Sequence, residues 1–274
     1  MWSFTDWRDQ RLLEQLRPRY PDALWDQVWD KLPLIWGFAE ADARMLEDMA
    51  LLFLHRKSIE GAADLEITDE MRLMVGLQAC LPVLRLGLDW YRDWVSVILY
   101  PDEFVPEREW VDEAGVVWVS REPHTGEAWE RGPVILSWSE VAAGSVLDGV
   151  NVVLHEFAHK LDMLDGVANG HPPLHPGMSD SAWAEAFSSA FRDFGGRVEA
   201  GEETDIDPYG AESPGEFFAV LTEAFFELPD VLGEEYPAVY GQMAAFYRQD
   251  PLTRLRAAGV LDDTPPSETG GHSK

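Results

Sequence analysis

The chain has 274 residues and carries 21 Lys and Arg against 50 Asp and Glu, a formal net charge of -29. Nucleic acids and anionic membrane surfaces are held largely by Lys and Arg that displace counterions, so bulk charge excludes both as partners. A hydrophobic content of 46%, with 12 Trp, supplies a sizeable core and excludes a disordered acidic chain.

The single cysteine, Cys80, rules out an intrachain disulfide, and its apolar neighbours predict a buried small hydrophobe. Residues 1–9 have neither the basic nor the apolar region of a secretory signal. The longest apolar stretch, residues 73–88, is broken by Gln78, Pro82 and Arg85 and is too short for a bilayer. A cytoplasmic protein without a membrane span is expected.

From about residue 10 to 93 apolar positions recur at helical spacing, as in Leu46, Met49, Ala50, Phe53 and Leu54, with Pro33 and residues 61–69 as punctuation. Three short β-branched and aromatic runs follow, 95–100, 116–119 and 133–138, which predict strands of one small sheet. From Asn151 the helical period returns, with Leu154, Ala158, Leu161 and Leu164 on one face and Gly166 as its stop. A polar loop over 165–178 and a helix over 183–194 come next. An acidic loop over 199–207 leads to helices over 214–228 and 237–248. Residues 262–274 are composed like a disordered tail. The expected fold class is α+β, mainly helical with a small mixed sheet. Residues 1–93 form an N-terminal helical region, and 94–261 a second region packed with it as one unit.

The segment with chemical content is Val153-Leu154-His155-Glu156-Phe157-Ala158-His159-Lys160-Leu161-Asp162. It reads His-Glu-x-x-His, with both imidazoles one turn apart and opposite the apolar stripe. Two histidines so spaced can converge on one Zn²⁺, and the adjacent glutamate can act on its water. A random chain of this composition carries the pattern with a probability of roughly 2%, and an amphipathic helix around it lowers the chance reading further.

A catalytic zinc needs a third protein ligand. Asp165 lies six residues after His159, as in metzincins, although Asp162 stands where those sites carry a turn glycine. Alternatively a later helix supplies a glutamate, and Glu216 and Glu223, seven apart, share one face. Ser213-Pro214-Gly215-Glu216 is also a capping-box pattern, so Glu216 could simply close a helix start. Spacing alone leaves the choice open.

Several separate stretches resemble one family in the same order. They are Leu77-Gln78-Ala79-Cys80-Leu81-Pro82-Val83-Leu84, Val97-Ile98-Leu99-Tyr100-Pro101, and Gly126-Glu127-Ala128-Trp129 with Gly132-Pro133-Val134-Ile135-Leu136-Ser137-Trp138. Residues 151–162, Asp165-Gly166-Val167-Ala168-Asn169-Gly170 and Glu216-Phe217-Phe218-Ala219-Val220 complete them. From Phe53 onward the chain resembles the MtfA (Mlc titration factor A) family of bacterial zinc metallopeptidases. That family is itself similar to the anthrax lethal factor catalytic domain, whose second ligand helix also reads Glu-Phe-Phe-Ala with a tyrosine seven residues before the glutamate.

The resemblance implies a zincin-like fold of gluzincin type, with Zn²⁺ on His155, His159 and Glu216. It implies Glu156 as general base and Tyr209 as the group that reaches the oxyanion. Glu223 then stands behind a ligand or is structural, and Asp162 is a candidate to orient a ligand histidine. It further implies aminopeptidase-like action on short peptides and, in some relatives, binding of the glucose repressor Mlc. The rival expectation is a protein that sequesters a transcription repressor, with the zinc structural. An extended substrate usually lies along an edge strand, for which residues 134–138 are the candidate.

Other clusters weigh less. His171 and His175 repeat the four-residue spacing, but Pro172, Pro173 and Pro176 forbid a helix, which places them in a loop near the cleft. Trp2, Trp7, Trp25, Trp29 and Trp36 are expected to pack in the core or between lobes.

Overall fold

The computed structural model describes residues 7–102, 107–111, 117–121, 126–128, 132–144 and 146–261. Trp2 and the tail expected at 262–274 lie outside these residues. Four helices occupy the first part: α1 (Trp7–Leu16), α2 (Asp22–Asp30), α3 (Glu40–Arg56) and α4 (Asp69–Cys80). The strands are β1 (Ser58–Gly61), β2 (Ser96–Tyr100), β3 (Glu107–Val111), β4 (Val117–Arg121), β5 (Gly126–Ala128) and β6 (Val134–Ser137). After them come α5 (Trp138–Ala143), α6 (Val152–Asp162), α7 (Asp180–Glu199) and α8 (Pro214–Glu227). The chain then ends its described part with α9 (Pro229–Glu235), α10 (Pro237–Tyr247) and α11 (Pro251–Ala257).

The architecture is mainly helical with a small mixed sheet of order β1-β2-β6-β5. The first three strands are parallel, with Ile59 opposite Val97 and Val97 opposite Val134, and β5 runs antiparallel to β6. Two sequence expectations are corrected here. Of the run at 116–119, the described residues 117–119 do not join this sheet, because β4 pairs with β3 in a separate antiparallel ribbon. Residues 134–138 do not form an edge, because β6 has β2 on one side and β5 on the other. The edge on that side is β5, which lies against α6 together with β6.

One apolar core runs from Leu13 to Tyr247 and takes in both the helices before β2 and the elements after it. Its part behind α6 is aromatic, with the Phe157 ring centroid 5.8 Å from Phe53, 5.1 Å from Tyr91 and 5.5 Å from Trp94. Cys80 is fully buried, and burial pushes its thiol well above the ordinary range, as expected of a small hydrophobe. Trp25 is buried, but Trp7 and Trp36 are exposed, so the core expectation fails for those two. Trp36 spends its indole N–H on the Trp29 carbonyl at 2.8 Å, which holds it at the surface. No helix among the described residues is long and apolar enough to cross a membrane.

Candidate metal centre

Both site helices start on side-chain caps. Asn151 precedes α6 and its Oδ1 accepts from Leu154 N at 3.0 Å. Ser213 precedes α8 and its hydroxyl accepts from Glu216 N at 3.2 Å, with Pro214 at the first helical position. The Ser213 half of the predicted capping box is therefore present. The Glu216 carboxylate turns to the histidines.

α6 and α8 run antiparallel, and a polar seam joins them. Asn151 meets Glu227 at 2.8 Å, His155 meets Glu223 at 2.7 Å, and His159 meets Glu216 at 3.2 Å. At the last rung three donor atoms converge. His155 Nε2 lies 3.0 Å from Glu216 Oε2, His159 Nε2 lies 3.2 Å from the same oxygen, and the two Nε2 atoms are 3.2 Å apart. Ligand atoms at about 2.0–2.2 Å from a tetrahedral ion stand roughly 3.4 Å from one another, so the triangle is close to the size that zinc requires. The Nδ1 of His155 donates to Glu223 Oε1, which leaves Nε2 to meet the Glu216 carboxylate through either a proton or a metal ion. Electron-rich atoms this close repel unless a cation or proton lies among them. The donor set therefore fits a metal ion, and among the described residues it is the one group of this kind.

The electrostatics agree with that geometry. Burial would raise the Glu216 carboxyl, but hydrogen bonds and charge from His155 and His159 hold it well below the usual carboxylate range. Burial would lower His155, and the carboxylates of Glu223, Glu216 and Glu156 drive it well upward instead. Glu223 is raised by burial, against the pull of His155 and the Asn151 N–H.

Glu156 is buried on α6 beside His155. Tyr209 sits in the turn Pro208–Ala211 with its ring centroid 6.0 Å from the His155 ring, and the residue is 41% exposed. Partial burial, followed by the charges of Glu216, Glu212, Glu156 and Asp207, pushes its phenol up to about 12.

Asp162 does not hold a histidine. Its buried carboxylate accepts from Gly170 N at 2.7 Å and His171 N at 2.9 Å, which pins the loop after α6. That loop passes close to the start of α8. Gly170 has φ +77 and a Cβ there would lie 2.4 Å from the Pro214 carbonyl, so only glycine fits. The histidine-orienting role belongs to Glu223. Asp165 is exposed at the end of the turn after α6 and stands outside the donor group. His171 and His175 are loop residues, as their prolines require. The His175 ring stacks on Phe246 and its Nε2 donates to the Phe246 carbonyl at 2.8 Å, so it serves packing.

Three partners of the seam had no motif to mark them: Gln78, Asn151 and Glu227. A signal for Glu227 does exist, since the acidic residues of α8 are Glu216, Glu223 and Glu227 in a helix otherwise apolar but for Thr222. Offsets of seven and eleven put all three on one face.

A His-Glu-x-x-His helix joined by a glutamate from a second helix is the donor arrangement of a metallopeptidase. Residues 4–248 match the family described as glucose-regulated metallo-peptidase M90, and the chain belongs to that family. It is 34% identical over 241 residues to Mlc titration factor A of Klebsiella pneumoniae strain 342, covering 87% of this chain and 91% of that one. It is 35% identical over 258 residues to Mlc titration factor A of Edwardsiella ictaluri, covering 93% and 96%. The protein of the same name from Yersinia pestis strain Pestoides F is 35% identical over 256 residues, covering 91% and 94%.

Proposed function

We propose that the chain is a zinc peptidase of aminopeptidase type, acting on short peptides in the cytoplasm. In this reading His155, His159 and Glu216 hold the ion, Glu156 is the general base and Tyr209 the oxyanion donor. The observation that carries it is the convergence of three donor atoms within about a hydrogen bond of one another, beside a buried glutamate. When bound, zinc supplies Lewis acidity that polarises a carbonyl and eases loss of a proton from water. Glu156 takes that proton at its carboxylate and delivers it to the departing amine. Glu223 keeps the His155 hydrogen on Nδ1, so that Nε2 remains free to ligate. Residues 1–93 and 94–261 work as one unit around this site.

Tyr209 donates its phenolic hydrogen to the oxygen of the tetrahedral intermediate. A phenol pushed up to about 12 stays protonated through the whole working range. Tyr209→Phe therefore lowers kcat by about 10²-fold with little change in KM. The pH profiles of the two proteins run parallel; a kcat in Tyr209→Phe within about twofold of wild type would remove Tyr209 from this role.

Asp207 and Glu212 add negative charge beside Tyr209, which supports capture of a substrate α-ammonium over a blocked terminus. Aminoacyl-p-nitroanilides are expected to be cleaved at least about 10²-fold faster than their N-acetyl forms. Equal rates would overturn the aminopeptidase reading and leave the peptidase intact. The name shared by the relatives supports a second, compatible reading, in which the chain also titrates an Mlc-like repressor. Tight binding of such a repressor with no cleavage across a broad peptide panel would make that second reading the sole one.

A further inference from the structure

Asn151, two turns before the end of the polar seam, has every polar atom engaged. Its Oδ1 caps Leu154 N at 3.0 Å, and its carbonyl accepts from His155 N at 2.9 Å. Its Nδ2 gives one hydrogen to Gln78 Oε1 and the other to Glu227 Oε1, each at 2.8 Å, and its N–H goes to Glu223 Oε2. The second oxygen of Glu227 accepts from Gly149 N at 3.2 Å, and Gln78 Nε2 donates to the Met74 carbonyl at 3.1 Å. Gln78 and Glu227 are fully buried and Asn151 is 2% exposed. Three helices, α4, α6 and α8, thus meet at one amide side chain.

We infer that Asn151, Glu227 and Gln78 are positioning residues that set the register of the two ligand-bearing helices, and through it the affinity of the metal site. The inference rests on the reading of His155, His159 and Glu216 as ligands. Its physical basis is the length scale. A slide of α6 by one residue along its axis is about 1.5 Å, which breaks hydrogen bonds of this length and separates donor atoms that must share one ion. The helices carry few other directional contacts at this end, since the rest of the α8 face is apolar. Apolar packing tolerates small slides, whereas a saturated amide does not. Glu223 links the two halves of the device, because one of its oxygens takes the Asn151 N–H and the other takes His155 Nδ1.

The test uses the full chain, with zinc affinity measured by competition against a chromophoric chelator and thermal unfolding measured on the metal-free protein. Glu227→Gln sets an amide NH₂ against a donor, either Asn151 Nδ2 or Gly149 N, and Asn151→Asp sets a carboxylate against Glu227 and Gln78 Oε1. Each single change weakens zinc binding by about tenfold or more. The double variant Asn151→Asp/Glu227→Gln restores one donor and one acceptor between residues 151 and 227 while Gln78 Oε1 still lacks its donor, and recovers part of the lost affinity. Thr222→Val is the matched control, since it removes a buried hydroxyl pair with Tyr247 at 2.8 Å on the same helix. It lowers the unfolding temperature but leaves zinc affinity within about twofold of wild type.

Single variants that bind zinc within about twofold of wild type while melting earlier would make the network merely structural and overturn the inference. It is equally overturned if the double variant binds no better than the weaker single, or if Thr222→Val loses as much affinity as Glu227→Gln. If a single variant does not fold, the double variant and the control decide by the same criteria. A wild-type protein that takes up no zinc refutes the ligand reading itself, and the inference with it; a wild type that binds one zinc, as tightly as its variants do, refutes the inference alone.

Discussion

Glu156→Gln is expected to lower peptide hydrolysis by about 10³-fold or more while zinc uptake and thermal unfolding stay close to wild type. The argument starts from position. Glu156 is buried on α6 next to His155, but it is not among the three atoms of the donor triangle, so an isosteric amide leaves the ligand set intact. What the amide lacks is a basic oxygen. Without it, water has no partner to take its proton, and the leaving amine has no nearby group to return one. Measured as kcat/KM on an aminoacyl-p-nitroanilide, with metal content and unfolding determined on the same samples, the variant separates chemistry from architecture. Retention of more than about a tenth of wild-type activity would take Glu156 out of the base role. The variant also separates the two proposed activities. A protein that titrates a repressor through its surface keeps that binding in Glu156→Gln, while its peptidase activity falls.

The legible part of the site was the part written on one helix. His155, Glu156 and His159 share two turns of α6, so periodicity and residue type alone place them together. Glu216 is 61 residues beyond His155, and its approach is tertiary. Local spacing left it level with Glu223 and Asp165, and only the family resemblance favoured it. Asn151 and Gln78 were out of reach of any local pattern, because a capping asparagine and a glutamine in an apolar run look alike whether or not they meet. Among the strands, β1 has four residues with only Ile59 buried, too little for alternation to show. The three residues of β5 carry even less pattern, and they alone turn β6 from an edge into an interior strand. Helix identity, by contrast, follows from many repeats of a 3.6-residue period. The helices at 183–194, 214–228 and 237–248 were each found within a few residues of α7, α8 and α10.

The seam also assigns the acidic excess. Four glutamates, at 156, 216, 223 and 227, lie at or behind the candidate centre, where burial makes each costly unless a proton donor or cation faces it. For Glu216 the partners are two imidazoles, for Glu223 an imidazole and a backbone N–H, and for Glu227 an amide and a backbone N–H. Apart from Asp162, which is buried beneath the loop after α6, the other described acids are partly or fully exposed. A net charge of -29 describes that surface, whereas the proposed chemistry lies in a few carboxylates that charge counting does not single out.

Glu216→Ala is expected to weaken zinc binding by about 10²- to 10³-fold, whereas Asp165→Ala leaves it unchanged. Among the described residues Glu216 offers the carboxylate oxygen that lies within 3.2 Å of both Nε2 atoms, and its hydrogen bonds to them already hold it ionised. Removing it leaves two imidazoles, which bind divalent zinc far more weakly than three ligands do. Alanine keeps the helix start, because the Ser213 cap accepts from the backbone N–H of residue 216 and Pro214 is untouched. The apo fold should therefore melt within a few degrees of wild type, and the loss is one of affinity. Asp165 is exposed in the turn after α6 and is not among the triangle's donors. Zinc content after dialysis against a weak chelator reads both variants directly. If Asp165→Ala lost the metal and Glu216→Ala kept it, the ligand set would move to the metzincin arrangement, and the seam between α6 and α8 would lose its place in the chemistry.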